Sequence, residues 1–276
     1  MFAVGIDLAW SPRNTSGLAV AERSGRGWRL REVQDALGDN REILAYIEKK
    51  VGAGPAIIAI DAPLVVPHRT KGREGDRVVT RVFGPSDAGV YPATQKYMGR
   101  YGAKRIWDLT RDLERIGLFH HCRVLQGKET RQFFETYPHA ASVALFNLAK
   151  TLKYKVRQGR TYETRWAAFR ELESCLRGLR TFDPPLDNVD PFLERDLTQR
   201  KGKTLKEYED RLDAILCAYV AAYYWTWGTE RCAIFGTLEG GYIVTPMNAR
   251  LAQRIPGDSP YVTYEGVRPR AKIIRP

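Results

Sequence analysis

Three acids stand where short apolar runs end. Phe2-Ala3-Val4-Gly5-Ile6 leads into Asp7, Ala56-Ile57-Ile58-Ala59-Ile60 leads into Asp61, and Gln132-Phe133-Phe134 leads into Glu135. Asp210 and Asp213 lie three residues apart, at the head of the most apolar segment of the chain. That spacing makes them neighbours on a helix surface. A buried carboxylate is costly unless it is paired, hydrogen-bonded or bound to metal. Carboxylates gathered in one place also resist joint ionisation. A hard divalent cation, Mg²⁺ or Mn²⁺, resolves both problems because it prefers carboxylate oxygen and water. Two such ions about 4 Å apart can activate a water, hold a phosphate and stabilise the leaving oxygen. Asp7, Asp61, Glu135 and Asp213 are therefore the candidate catalytic residues. Together with Asp210 they are the candidate metal ligands.

The cations of the chain suit the same chemistry. The 276 residues include 44 Lys and Arg against 32 Asp and Glu, a net charge of +12. Such a balance favours a polyanionic partner, nucleic acid before an anionic membrane surface. Arg73, Arg77 and Arg81 share one face if residues 74–83 are helical. Lys150, Lys153, Lys155, Arg157 and Arg160 crowd a second stretch, and Arg195, Arg200, Lys201, Lys203 and Lys206 a third. Arg73, Arg77, Arg81, Lys153, Lys155 and Arg157 are the candidate substrate-binding residues. His139, beside Glu135, is a candidate proton donor. His120-His121-Cys122 lacks the second ligand pair of a zinc site. No Ser-His-Asp set and no phosphate-binding glycine loop occurs at workable spacing. Cys122, Cys175, Cys217 and Cys232 are irregularly spaced and form no CxxC pair, which fits reduced thiols and a cytoplasmic location.

These residues need elements to position them. The run at residues 2–7, the apolar stretch 17–21 and the alternating stretch 28–33 are joined by short turns and read as an antiparallel meander. Asn40 caps a helix whose face is Ile43, Leu44, Ile47 and Val51. The strand at residues 56–61 follows, apolar on both faces and hence central and parallel to the first. A right-handed crossover then places Asp7 and Asp61 at the same, carboxyl end of adjacent strands. Residues 63–102 are an irregular stretch with a short helix at 74–83. Helices are expected at 104–116, 139–148, 163–179 and 205–227, with strands at 132–137, 232–235 and 241–244. The segment from Ala214 to Trp227 is too short for a bilayer and reads as a core helix whose Tyr223, Tyr224, Trp225 and Trp227 pack inward. A basic tail closes the chain.

Four pieces, Val4-Gly5-Ile6-Asp7, Ala59-Ile60-Asp61-Ala62-Pro63-Leu64, Phe134-Glu135-Thr136-Tyr137-Pro138-His139-Ala140-Ala141 and Asp210-Arg211-Leu212-Asp213-Ala214, occur in an order that resembles the domain-of-unknown-function family 429. That family is described as predicted nucleases of the RNase H-like fold. The resemblance implies an α/β fold: an RNase H-like mixed five-stranded sheet, three antiparallel strands and then parallel ones, flanked by helices. In it, Asp7 corresponds to the first-strand acid, Asp61 to the fourth-strand acid, and Asp210 and Asp213 to the acid pair on the last helix of RuvC-type resolvases. One domain is expected over 1–276, with a basic loop and helix insertion at about 64–118 and a helical insertion at about 150–204. The expected function is metal-dependent phosphodiester hydrolysis in nucleic acid with two ions. The alternatives are an ATP-using phosphotransferase of the actin and sugar-kinase type, for which Leu8-Ala9-Trp10 suits phosphate wrapping poorly, and a basic nucleic-acid-binding protein without turnover.

Overall fold

The computed structural model describes residues 1–11 and 13–267; the basic tail lies outside the described residues. The chain opens with an antiparallel meander of β1 (Phe2–Asp7), β2 (Ser16–Ser24) and β3 (Gly27–Leu37). Helix α1 (Asn40–Val51) crosses to β4 (Ala56–Asp61), which runs parallel to β1. An irregular stretch then carries α2 (Glu74–Phe83), α3 (Gln95–Gly99) and α4 (Lys104–Arg115). Next come β5 (Phe119–His120), β6 (Arg131–Glu135) and α5 (Pro138–Leu145). Residues 146–161 have no helix or strand and lead to α6 (Tyr162–Gly178) and β7 (Leu186–Asp187). The long α7 (Gly202–Arg231), with non-helical backbone at Gly228, is followed by β8 (Cys232–Thr237), β9 (Gly241–Pro246), α8 (Ala249–Ala252) and β10 (Val262–Thr263).

The main sheet has the order β5-β6-β4-β1-β2-β3-β7. Its five central strands form the mixed, RNase H-like arrangement: an antiparallel meander on one side, parallel strands on the other. Seven strands rather than five are present, because the two-residue β5 and β7 extend the edges. The late strands leave the main sheet and form a second one, β10-β8-β9, joined to it by a bridge between Thr136 and Val244. One further correction is local. Asp39, not Asn40, caps α1, its carboxylate accepting the Glu42 amide. The Asn40 side chain instead bonds the backbone and guanidinium of Arg105.

Successive side chains of a strand point to opposite faces, and the two faces of the sheet bury different cores. Ala3, Ile57, Ala59 and Phe134 pack with α6 and α7, whereas Val4, Ile6, Ile58, Ile60 and Phe133 pack with α1 and α4. Gly5 and Asp7 share parity with Ala3, so both face α7. The strand can lie directly on the helix only because Gly5 has no side chain: a Cβ there would sit 2.1 Å from the Ala214 carbonyl oxygen. Gly17, the register partner of Asp7 on β2, is pressed in the same way, with its would-be Cβ 2.2 Å from the Asp210 carbonyl oxygen. These two contacts seat the first half of α7 over the ends of β1 and β2. Among the described residues, no helix is long and apolar enough to cross a membrane, and all four cysteines are free thiols. Tyr223, Tyr224 and Trp225 are buried as expected, and Trp227 is half-buried against the same core.

Candidate active site

Register brings the first two acids together. Asp7 and Asp61 are direct partners across β1 and β4, at the carboxyl ends of both strands and on the face that meets α7. Helix α7 answers with Asp210 and Asp213, 3% and 0% exposed, and with a further acid, Glu209. Five acids thus lie in one neighbourhood where a strand pair ends beneath a helix.

Crowding decides their charge. Burial, and then the Asp7 carboxylate beside it, push the Asp210 carboxyl up to about 9. Asp61 is likewise pushed well above the usual carboxylate range, first by burial and next by Asp7. Asp213 goes the other way. Burial works against its charge, but the Lys155 ammonium, 2.8 Å from Oδ2, holds it below the ordinary value. The Tyr154 hydroxyl donates to Oδ1 of the same carboxylate at 2.7 Å. Lys206, one turn before Asp210 on α7, donates to both Glu209 and Asp210. Beside the Arg165 guanidinium, 3.8 Å from Glu209 Oε2, the counter-charge of the cluster is therefore two ammonium groups. Both stay protonated, since neighbouring acids raise them against the opposing effect of burial.

Three buried carboxylate oxygens of the cluster accept no hydrogen bond: Asp7 Oδ2, Glu209 Oε2 and Asp213 Oδ2. Asp213 Oδ2 meets Lys155 at ion-pair distance but without hydrogen-bond alignment. The donors are all hard oxygens, the type a divalent cation prefers, and a bound cation would favour ionisation of Asp61 and Asp210, whose carboxyls burial and crowding push up. In these respects the residues suit a divalent cation. Among the described residues, however, no three His, Cys, Asp or Glu side chains converge as a ready-made metal site. Lys155 and Lys206 already hold Asp213, Glu209 and Asp210.

Glu135 does not join the cluster. Its register partner on β4 is Ile60, so its side chain leaves the face opposite to Asp61. There Arg73 grips both its oxygens, at 2.8 and 2.7 Å, and the Leu64 amide donates to Oε2 at 2.9 Å. Arg73 also binds Asp76 and the Val65 carbonyl and is 3% exposed. Two expectations are corrected together. Glu135 is spent as a structural anion, and Arg73, which precedes α2, is its buried counter-ion rather than a surface group for substrate.

The other basic candidates separate. Arg77 and Arg81 are exposed and line a shallow surface recess with Pro256 and Asp258, and Arg77 pairs with Glu74. Lys153, Lys155 and Arg157 line a cavity of about 670 Å³ with Arg160, Tyr91, Tyr137, His139 and Thr151. Lys155 closes its inner end, where the acids begin. On the other side of the acids, Asp7, Asp210 and Lys206 line a cavity of about 260 Å³ with Trp10, Asn14, Thr15 and Tyr101. Burial, then the Lys155 ammonium, push the His139 imidazole down to about 3, which favours its neutral form, and Nδ1 lies 3.0 Å from the Thr151 hydroxyl.

Sequence reading missed Glu209, Tyr154 and the inward turn of Lys155 and Lys206. The spacing of Lys206 to Glu209 and Asp210, three and four residues on a helix, carried a signal for one of these pairs. It also missed Arg105, 8% exposed, whose guanidinium donates to the Ser11 and Asn14 carbonyls and to Ser16 Oγ. Ser16 Oγ in turn accepts the Ala9 amide, so Arg105 braces the connection that follows Asp7.

The profile of a family described as "Protein of unknown function (DUF429)" matches residues 5–236. The chain belongs to that family. The matched span contains every acid of the cluster and both lysines. No curated protein matches the chain.

Proposed function

With that membership as the starting point, we propose that the protein is a metal-dependent nuclease acting at the Asp7, Asp61, Asp210 and Asp213 cluster. The observation that carries the reading is the pairing of Asp7 with Asp61 at adjacent strand ends beneath two acids of α7, with Asp7 Oδ2 buried and without a hydrogen-bond donor. Asp7, Asp61 and Asp213 would hold the cation, Mg²⁺ or Mn²⁺, with Asp210 beside them. Bound there, one or two such ions supply a Lewis acid for the phosphate and lower the pKa of a water. Hydrolysis forms a bond from water oxygen to phosphorus and breaks the bond from phosphorus to the leaving sugar oxygen, which takes up a proton.

The chain's own residues supply the rest. Asp213 is ionised, and its ammonium partner Lys155 reaches from a segment without regular structure, so it can yield the carboxylate to a stronger cation. Once released, Lys155 stands at the inner end of the basic cavity, where a phosphate would lie. Lys153 and Arg157 line the approach. Lys153 is partly engaged by Asp87 at 2.8 Å, whereas Arg157 has no carboxylate within ion-pair distance among the described residues. Arg105 braces the chain leaving Asp7 and so holds that carboxylate at the strand end.

The test is cleavage of end-labelled single-stranded DNA, duplex DNA, RNA, RNA–DNA hybrid and a four-way junction, with Mg²⁺, with Mn²⁺ and with EDTA. The expected result is cleavage that needs metal and disappears in Asp7→Asn. Calorimetric titration should show cation binding that weakens in the same variant. Cleavage that persists in EDTA, or cation binding indifferent to Asp7, would sink the reading.

A further inference from the structure

Aromatic rings stand on both sides of the acids. In the smaller cavity, Trp10 and Tyr101 meet edge to face at 6.4 Å beside Asp7 and Asp210. In the larger one, Tyr91 and Tyr137 stand over Lys155, Lys153 and Arg157. Tyr97 packs at 5.3 Å on Tyr101. Tyr91, Tyr97 and Tyr101 all come from the irregular stretch between β4 and α4. That stretch thus supplies a ring to each of the two cavities, Tyr91 to the larger and Tyr101 to the smaller.

Trp10, Tyr97 and Tyr137 rest partly on the core, whereas the other two rings face outward. Tyr91 is 78% exposed and Tyr101 46% exposed, among the most exposed large apolar side chains of the described residues. Exposed rings beside charged groups mark contact surfaces. The charge along the larger cavity is cationic, from Lys153, Lys155, Arg157 and Arg160, against the single Asp87. A ring face recognises a nucleobase face, and in a duplex those faces are hidden by base stacking. Cations that track phosphates beside rings that take unstacked bases form the pattern of single-strand binding.

We infer that the substrate is single-stranded nucleic acid, threaded across the acids with one base against Trp10 and Tyr101 and another against Tyr91. The inference rests on the nuclease reading and adds its substrate class. A phosphate between the two bases would then lie near Asp7, which lines the smaller cavity, and Lys155, which lines the larger. A duplex could present its phosphates to the cations but no base face to the rings.

The test is fluorescence anisotropy with labelled oligothymidylate, labelled oligouridylate and a blunt duplex of matched length, in EDTA and again in Ca²⁺. Single strands should bind about tenfold more tightly than duplex. Tyr91→Ala and Tyr101→Ala should each weaken single-strand binding about fivefold or more, with duplex binding unchanged. Tyr91→Phe and Tyr101→Phe, which keep the ring, should bind like the parent. A preference for thymidylate or uridylate assigns the strand as DNA or RNA. Equal affinity for duplex, or alanine variants that bind single strands normally, would overturn the inference and leave the nuclease reading standing. No binding of any oligonucleotide would remove the nuclease reading and the inference with it.

Discussion

At the scale of single residues, the crowded carboxyls share two lysines and hold part of their charge back as protons. Asp210 shows this in a measurable form. Its carboxyl titrates at about 9 in the fold against an ordinary 3.8. Between those values the folded chain keeps a proton that the unfolded chain has lost, so stability falls as pH rises through the window. Asp210→Asn cannot lose that proton. In EDTA its denaturation free energy should decline less than the parent's from about pH 5 to about pH 9. Parallel declines would contradict the assignment. Glu135 makes the opposite case. Its oxygens are filled by Arg73 and a backbone amide, so Glu135→Gln should leave cation titration intact while Asp7→Asn weakens it. Arg73→Met strands two buried carboxylates and should cost about 3–5 kcal/mol in urea denaturation.

At the scale of elements, the site depends on how closely α7 approaches the sheet. Gly5→Ala would drive a methyl group to 2.1 Å from the Ala214 carbonyl oxygen. It should lower stability by several kcal/mol or prevent folding, as forced overpacking against backbone does. Gly178→Ala, at a helical position with nothing within 4 Å, should be neutral or stabilising by up to about 1 kcal/mol. Chemical denaturation of the two variants compares them directly. This scale also shows what was legible beforehand. Apolar runs with β-branched residues and clear turn signals revealed β1 and β4, and the parallel crossover then placed Asp7 beside Asp61. Helices α2, α4, α6 and α7 followed from periodicity to within a few residues. Glu135 was misplaced for a definable reason. Phe133 and Phe134 are both apolar, so the strand shows no alternation, and only the register with Ile60 reveals which way the acid points. Lys155 looked like one more member of a basic run, because a segment without periodicity says nothing about direction.

At the scale of the whole molecule, a charge of +12 is distributed unevenly in function. The basic cavity includes Lys155, which pairs with Asp213, whereas the recess at Arg77 and Arg81 is lined by Asp258 and by none of the cluster acids or site lysines. Single-strand binding should therefore weaken with salt in proportion to the phosphates neutralised, by about 0.7 in log–log slope for each contact. Removing Lys153 and Arg157 together should reduce that slope by about 1.4, and removing Arg77 and Arg81 should leave it unchanged. Anisotropy titrations across a range of salt measure both. Equal losses from the two pairs would show that the partner wraps a wider surface than the cavity.

Tyr154 and Lys155 are consecutive, and between them they hold both oxygens of Asp213. The segment that makes this grip also carries Lys153, Arg157 and Arg160. On the proposed reading, a cation that draws Asp213 away from Lys155 would alter the anchoring of the segment that lines the basic cavity. Cation and polyanion would then be heterotropic ligands of one another. Whatever factor the first applies to the affinity of the second, the second returns to the first.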